Sequence, residues 1–369
     1  MEDITRPLEK ADRSWVCEAM NQIAADFNRS SDTHLLKISL PCFAPHTLYL
    51  KDESTHPTGS LKHRLARSLF LYGLANGRIL RGTTIIEASS GSTAISEAYF
   101  ARLLGLDFIA VVPESTAQEK INKIEFYGGK CHKVAPSDIY RSAQQLAIEL
   151  KGHYMDQFTF AERATDWRGN NNIAESLFQQ MAKEENPIPD WVVVGAGTGG
   201  TSATLGRYIR YRPELNEKSK LCVVDPESSV FFDYYQTGEQ ELQSPRPSRI
   251  EGIGRPRVEP SFLPTVIDRM MRIPDAASIA TIWWLEKILD RKCGGSTGTN
   301  VYGALKLIAE SRDQSQPMSI VSILCDPGER YLKTYFNSDW LEAQGIHITP
   351  FLDQLTAFEK TGQLTSLCP

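Results

Sequence analysis

Short apolar runs rich in β-branched residues alternate with longer amphipathic stretches along most of the chain. In the first half the predicted strand and helix pairs are TLYLKD with a helix from about Leu61, TTIIEASSG with STAISEAYFARLLG, DFIAVVP with STAQEKINKIEFYG, and CHKVAP with DIYRSAQQLAIELKG. The pattern resumes with WVVVGAGTGG before SATLGRYIRYRP, KLCVVDPE before a loop, and MSIVSILCDPGERY near the end. Strands that alternate with helices in this way indicate βαβ units on a largely parallel sheet. We therefore predict an α/β protein with two halves.

Two segments interrupt this alternation. Residues 236–264 are dense in Pro, Gly and charge, and are predicted to form a long loop, which in a compact domain is often functional. From about Asp339 onwards one short amphipathic stretch, LDQLTAFEK, is too little for an added domain, so we expect a docked tail.

Charge and composition exclude several classes of protein. The 45 acidic and 40 basic residues give a formal net charge of -5 and are interspersed, so no basic face is evident for a phosphate backbone or an anionic lipid surface. The first residues, MEDITRPLEKADRSW, lack the apolar core of a secretion signal, and no run approaches the ~20 apolar residues of a membrane span. We expect a cytoplasmic protein without nucleic-acid or membrane partners. The seven cysteines and seven histidines show no metal-ligand spacing, and no metal is expected.

A glycine-rich loop follows one of the predicted strands, in WVVVGAGTGGTSATLGRYI. Gly195, Gly197 and Gly200 match the G-x-G-x-x-G pattern of dinucleotide-binding turns. Asp225 ends a later strand, about where a ribose ligand is expected. The same loop offers unhindered backbone N–H groups and hydroxyls at a helix N-terminus, which suits a single phosphate monoester. The loop alone leaves open a dinucleotide, a phosphate and a turn without ligand.

Two further loops rich in Gly, Ser and Thr precede predicted helices. The first, SSGST, spans residues 89–93 and suits a carboxylate held by N–H groups and hydroxyls, although an ordinary helix cap would look similar. The second is CGGSTGTN, which contains Gly294, Gly295 and Ser296. Three loops of this composition before helices in one chain are more than ordinary turns require. We interpret them as the walls of one site for a phosphorylated, anionic ligand.

Lys62 stands after a Thr-Gly-Ser turn, in KDESTHPTGSLKHR, at the predicted start of a helix. The helix macrodipole disfavours a cation there by ~0.3–1 kcal/mol, and a neutral or imine-linked amine avoids part of this penalty. A phosphate pocket, a carboxylate pocket and such a lysine are the parts that hold pyridoxal 5′-phosphate (PLP) as a Schiff base with an amino-acid substrate. Lys62 is therefore predicted to do chemistry, whereas His63 beside it is expected to be packed or solvated.

Six short motifs occur in the order PTGSLK, SSGST, GTGGT, EGIG, GGSTG and GERY. Their order and separations resemble those of the cysteine synthase / cystathionine β-synthase family, the fold-type II PLP-dependent enzymes, over nearly the whole chain. The resemblance implies two open, twisted, mostly parallel sheet domains with helices on both faces and an active site in the cleft between them. The smaller α/β domain, 56–165, would carry the substrate-carboxylate loop. The larger, PLP-phosphate-binding domain would comprise 1–55 and 166–369 with its C-terminal tail, and the enzyme would be a homodimer.

The resemblance also assigns roles to individual residues. Lys62 would be the Schiff-base lysine and Ser296 would meet the pyridine nitrogen. The cofactor phosphate would be held by Gly197, Thr198, Gly199, Gly200 and Thr201. The substrate carboxylate would be bound by Ser89, Ser90, Gly91, Thr93 and, from YMDQF, Gln157.

One position departs from the family pattern. Ser92 stands where the family usually has an Asn that bonds the 3′-oxygen of the cofactor, so this contact is lost or passes to water. The block QFTFAERATDWRGNNNIAES and the loop IGRPRVEPSF look more like the bacterial L-cysteine desulfhydrase branch than like ordinary cysteine synthases. We therefore expect β-elimination of L-cysteine to sulfide, pyruvate and ammonia through an aminoacrylate.

Three alternatives remain at this point. The first is β-replacement, either as a cysteine synthase that joins O-acetylserine and sulfide or as an enzyme like cystathionine β-synthase. The second is a nicotinamide dehydrogenase, which leaves PTGSLK and two of the three loops unexplained. The third is a non-catalytic descendant of the fold, which the intact Lys62 and phosphate loop disfavour.

Overall fold

The structure, a computed structural model, describes residues 9–29, 31–314 and 316–364. Within these ranges the strands are β1 (Leu35–Ile38), β2 (Thr47–Asp52), β3 (Ile85–Glu87), β4 (Phe108–Pro113), β5 (Lys130–Val134), β6 (His153–Tyr154), β7 (Trp191–Gly195), β8 (Lys220–Pro226), β9 (Arg269–Ile273) and β10 (Ser319–Leu324). The helices are α1 (Lys10–Phe27), α2 (Lys62–Ala75), α3 (Ser92–Leu103), α4 (Gln118–Phe126), α5 (Ile139–Glu149), α6 (Gln157–Ala164), α7 (Ile173–Met181), α8 (Gly200–Tyr211), α9 (Pro213–Asn216), α10 (Phe231–Thr237), α11 (Asp275–Leu289), α12 (Gly295–Glu310), α13 (Ser338–Ala343) and α14 (Thr349–Thr361).

The smaller of two compact units contains the described residues up to Asp32 and His56–Thr165. Its four-stranded sheet has the order β5-β4-β3-β6, and all neighbouring strands are parallel. β3 is buried at all three positions, as is typical of a strand in a parallel sheet that is covered on both faces. Consequently the turns that follow β3 and β6 lie at the same edge of this sheet.

The larger unit contains Thr33–Thr55 and the described residues from Asp166 onwards. Its six strands have the order β1-β2-β10-β7-β8-β9, in which β1 is antiparallel to β2 and the other neighbours are parallel. β10 is buried at every position. The predicted α/β class with largely parallel sheets is thus confirmed.

The first helix belongs to the smaller unit. Val16, Ala19 and Ile23 on α1 are buried in one hydrophobic cluster with Leu65 and Leu69 of α2. The apolar face of α1 therefore places residues before Asp32 with this unit. This division differs from the predicted assignment of all of 1–55 to the larger domain.

Two segments outside the alternating pattern take the forms that their composition indicates. Between Thr237 and Pro264, a stretch that is described throughout, no helix or strand forms apart from an isolated bridge of Gln243 with Arg257. Near the end of the chain α14 buries Leu355 in the core of the larger unit. The tail also contains α13, which the sequence pattern does not reveal. None of the helices in the described ranges is both long and apolar enough to cross a membrane.

A close helix crossing in the larger unit gives a stability prediction. A Cβ atom on Gly298 of α12 would lie 1.9 Å from the carbonyl oxygen of Ser278 on α11. We expect Gly298→Ala to separate these helices and to lower the free energy of unfolding by at least about 2 kcal/mol, measured as a lower Tm. Gly169→Ala is the control, because its Cβ would meet only Glu175 Oε1 at 3.9 Å. Equal Tm values for the two variants would contradict this close crossing.

Candidate active site

Lys62 is the first residue of α2, directly after the turn that contains Gly59. Gly59 has a φ of 69°, a left-handed conformation that favours glycine, and its N–H donates to the carbonyl of His56 at 2.7 Å. The N–H of His63 donates to the carbonyl of Ser60 at 3.0 Å and closes the first turn. The side chain of the N-cap residue, Leu61, makes no capping hydrogen bond. The half-buried side chain of Lys62 therefore extends from the N-terminal, positive end of the helix dipole, where a cation is disfavoured.

The histidine beside this lysine is packed. His63 is buried, with Nδ1 3.1 Å from the hydroxyl of Thr58. Its ring stacks on His56 at 5.1 Å between centroids and contacts Phe100 at 4.8 Å. His63 thus supports the lysine turn from the interior, one of the two outcomes that its sequence context favours.

The loop 89–93 joins β3 to α3. Gly91 is the N-cap residue, and its N–H donates to the hydroxyl of Ser89 at 3.2 Å. The N–H groups of Thr93 and Ala94 bond to no acceptor in the part of the chain that the structure describes. A Cβ atom on Gly91 would meet nothing within 4 Å, so the space beside the loop is open. Such a helix N-terminus can bind a carboxylate.

Two of the residues predicted to bind substrate are in contact. The hydroxyl of Thr93 donates to Oε1 of Gln157 at 2.9 Å, although the two are 64 positions apart in sequence. Both side chains are buried. Because Oε1 accepts this bond, the NH₂ group is the end of the Gln157 amide that can donate to a ligand.

Two buried acids nearby have no predicted role. Glu87 ends β3, where its Oε1 accepts the N–H of Ala88 at 2.6 Å and its Oε2 accepts the N–H of Gln157 at 3.2 Å. Glu97, one turn after Thr93 on α3, is fully buried and neither of its carboxyl oxygens bonds to a described residue. An acid at the end of the apolar strand TTIIE is the sequence signal that could have identified Glu87.

The two acids differ in how they hold a proton. Burial raises the pKa of Glu97 well above its usual value, and the neighbouring Glu87 raises it further. Burial also raises the pKa of Glu87, but the N–H donors of Ala88 and Gln157 lower it. Burial thus favours the protonated form of both acids, and Glu87, which has two N–H donors, is the one that ionises more readily.

In the larger unit, the loop 197–201 joins β7 to α8. Gly199 is its N-cap residue, with a φ of 88°. The first backbone bond of the helix is donated by Ala203 to Gly199. The N–H groups of Thr201 and Ser202 bond to no acceptor among the described residues. This helix N-terminus therefore has two N–H donors left for an anion.

The long loop between α10 and β9 packs against this glycine-rich loop. A Cβ atom on Gly197 would lie 2.2 Å from the carbonyl oxygen of Gly252, and one on Gly199 would lie 2.5 Å from that of Ser261. Glycine is required at both positions because the two backbones approach too closely for any side chain. The loop predicted from residues 236–264 thus packs along one side of the glycine-rich loop.

An ion-pair cluster stabilises the long loop between α10 and β9. Glu259 is buried, and its Oε1 accepts a bond from Nε of Arg255 at 2.8 Å and from Nε of Arg257 at 3.1 Å. Because both guanidinium groups bond to one buried carboxylate, they stabilise the conformation of this part of the long loop.

Ser296 is the second residue of α12 and is buried. The helix start is held by the N–H of Gly294, which donates to the carbonyl of Asp326 at 3.0 Å, and by the hydroxyl of Thr297, which accepts the N–H of Cys325 at 3.0 Å. The hydroxyl of Ser296 itself bonds to no described residue. It can therefore bond to a ligand.

Asp225, the residue that suggested a ribose ligand, has a structural role. It is fully buried at the end of β8, and its Oδ2 accepts the N–H of Phe232 at 2.8 Å at the start of α10. Burial raises the pKa of Asp225 to about 7. A buried carboxyl group that supports a helix start does not favour a dinucleotide site. In the described parts of the chain no group of three or more His, Cys, Asp or Glu side chains is arranged to hold a metal ion.

Comparison with known proteins adds to this geometry. A family model described as pyridoxal-phosphate dependent enzyme matches residues 32–326. L-cysteine desulfhydrase Cds1 of Mycobacterium tuberculosis is 57% identical over 358 residues, which are 96% of this chain and 96% of that protein. Cystathionine beta-synthase of Apis mellifera is 31% identical over 312 residues, 81% of this chain and 58% of that protein.

A solved structure shares the fold. The crystal structure of O-ureido-L-serine synthase superimposes with a TM-score of 0.73 over 88% of this chain and 98% of that one, at 24% sequence identity.

Proposed function

The chain belongs to the family of pyridoxal-phosphate dependent enzymes, and we propose that it is an L-cysteine desulfhydrase, which converts L-cysteine and water to sulfide, pyruvate and ammonia. The observation that carries the proposal is the similarity to the mycobacterial desulfhydrase over nearly the full length of both chains. The resemblance to the cysteine synthase and cystathionine β-synthase family, first seen in the six motifs, is confirmed by the family match and by the relatives.

The residues of the larger unit fit this cofactor. A phosphate needs several N–H donors, and the loop 197–201 together with the first turn of α8 supplies the N–H groups of Thr201 and Ser202. The buried hydroxyl of Ser296 supplies a neutral partner for a ring nitrogen. We therefore assign the phosphate to Gly197, Thr198, Gly199, Gly200 and Thr201, and the ring nitrogen to Ser296.

When bound, PLP supplies an aldehyde that condenses with an amine and a conjugated ring that withdraws electrons from the α-carbon of an amino acid. Lys62 is the amine that would hold it covalently between turnovers. With its amine free, Nζ of Lys62 would take the proton from the α-carbon of the substrate as general base. Ser296 is neutral, so it forms no ion pair with the ring, and this moderates the electron withdrawal.

The smaller unit would bind the substrate. We assign the α-carboxylate of L-cysteine to the loop 89–93, where Ser89, Ser90 and Gly91 precede the N–H groups of Thr93 and Ala94. The NH₂ group of Gln157 adds a donor, since its Oε1 is engaged by Thr93. Ser92, the first residue of α3, stands where an Asn is usual and would contact the cofactor with a shorter side chain.

The bonds of the reaction balance without an oxidant. The α-proton goes to Lys62, the Cβ–S bond breaks, and sulfur leaves with the electron pair of that bond as hydrogen sulfide after protonation. Hydrolysis of the remaining three-carbon enamine by one water gives pyruvate and ammonia.

Parallel assays of two substrate mixtures test this function. Purified protein loaded with PLP receives L-cysteine alone in one assay and O-acetylserine with sulfide in the other. We expect sulfide and pyruvate from the first mixture, and pyruvate rather than accumulating cysteine from the second. Net synthesis of cysteine in the second, without sulfide or pyruvate in the first, would contradict the desulfhydrase and favour β-replacement.

We also propose that the enzyme works in the cytoplasm as a homodimer with a small amino acid as its substrate. The family resemblance supports the homodimer, and the interspersed charges support the absence of nucleic-acid and membrane partners. Light scattering of the purified protein is expected to give twice the chain mass.

A further inference from the structure

Glu87 connects the two segments that would bind the substrate carboxylate. Its Oε1 accepts the N–H of Ala88, directly before the loop 89–93, and its Oε2 accepts the N–H of Gln157, the first residue of α6. One side chain thus holds the start of the carboxylate loop and the start of α6 at the same edge of the sheet. We infer that Glu87 is a positioning residue, which acts through Gln157 on the α-carboxylate of the substrate. This inference rests on the proposed function.

Gln157 is held at two points. Its backbone N–H is fixed by Glu87, and its side-chain Oε1 is fixed by the hydroxyl of Thr93. With both contacts in place the amide NH₂ has one orientation. Without the bond to Glu87 the first residue of α6 loses its anchor, and the NH₂ group can no longer be held where the carboxylate needs it. A misplaced donor weakens a carboxylate contact selectively, because hydrogen bonds depend steeply on distance and angle.

Both carboxyl oxygens of Glu87 are engaged, because each accepts one backbone N–H group. Burial raises the pKa of Glu87 to about 8, the two N–H donors lower it, and the charge of Asp156 raises it. The N–H groups of Ala88 and Gln157 are thus the contacts that stabilise the Glu87 side chain in its position. Neither carboxyl oxygen of Glu97 receives a hydrogen bond from a described residue. Glu87 and Glu97 are therefore equally buried, but only Glu87 bonds to the backbone of the two segments that would bind the carboxylate.

The matched variants are Glu87→Gln and Glu97→Gln. Glu87→Gln keeps the shape but turns one acceptor oxygen into a donor that faces an N–H group. Glu97→Gln makes the same change in a side chain that has no bond to lose. The probes are L-alanine and ethylamine, which differ only by the carboxylate. Binding of each to the PLP-loaded enzyme is followed by the visible absorption of the cofactor.

We expect Glu87→Gln to weaken L-alanine binding about tenfold or more and to leave ethylamine binding unchanged. In turnover of L-cysteine, KM should rise by a similar factor with little change in kcat. Glu97→Gln should change neither affinity. If Glu87→Gln does not fold or load cofactor, Glu87→Asp, which is one methylene too short to reach both N–H groups, is expected to show the same selective loss.

Equal weakening of L-alanine and ethylamine would overturn the inference, because it indicates a purely structural role. Unchanged L-alanine binding in Glu87→Gln would overturn it as well. The test does not depend on the reaction: a wild-type enzyme that releases no sulfide from L-cysteine contradicts the desulfhydrase, whereas a selective loss of L-alanine binding in Glu87→Gln still supports the positioning role.

Discussion

Replacement of Lys62 with alanine is expected to abolish the release of sulfide and pyruvate from L-cysteine, with a rate loss on the order of a thousandfold or more. Lys62 would serve both as the covalent anchor of PLP and as the base for the α-proton, and alanine removes both functions. Lys62 is the first residue of α2, and because a lysine ammonium has no acceptor atom, its removal takes away no helix N-cap. The measurement is the rate of product formation by the PLP-saturated variant.

Two variants make this result specific. Lys62→Arg keeps the positive charge but has a guanidinium group, which neither condenses with an aldehyde nor gives up its proton at neutral pH, so it should be as inactive as alanine. Lys130→Ala removes an amine from a side chain that is 71% exposed in the same unit and should be fully active. Borohydride reduction should fix the cofactor on a Lys62 peptide in the wild type. Activity retained by Lys62→Ala, or cofactor fixed on another lysine, would contradict the assigned role.

The second large effect is expected from Gly199→Ala, which should weaken PLP binding about a hundredfold. Gly199 has a φ of 88°, where a side chain is strained, and a Cβ atom would lie 2.5 Å from the carbonyl oxygen of Ser261 and 2.6 Å from Cα of Phe262. Since both contacts are backbone atoms, the loop must move, and the N–H groups at the start of α8 move with it. The measurement is the cofactor affinity from absorption titration.

Gly169→Ala is again the control, because its added methyl group meets no backbone atom within 4 Å. It is expected to bind PLP like the wild type and to have the same Tm. If Gly199→Ala binds PLP as tightly as the control does, the loop 197–201 is not the phosphate site.

The sequence reveals those parts of the fold that local chemistry determines. Apolar runs and helical periodicity locate the strands and helices of both sheets, and glycine-rich loops mark three helix starts, because backbone approach and helix termini restrict residue types locally. β6, with two residues, is too short for any periodic signal. The place of α1 is likewise decided by its packing on α2, which no local pattern states.

The site is partly predictable for the same reason. Lys62 and the loop motifs are contiguous in sequence, whereas the contact of Thr93 with Gln157 joins residues 64 positions apart. The role of Glu87 depends on a bond between the end of β3 and the first residue of α6, and an isolated acid in an apolar strand only hints at it. Such tertiary contacts need the strand order, which the sequence pattern does not specify.

The most direct test of the desulfhydrase assignment is the ratio of pyruvate to sulfide that the purified, PLP-loaded protein releases from L-cysteine. Elimination followed by hydrolysis yields one pyruvate for each sulfide, and we expect this equal ratio throughout the reaction. Sulfide without pyruvate would show that a second thiol replaces the sulfur, which contradicts the assignment and identifies a β-replacement enzyme.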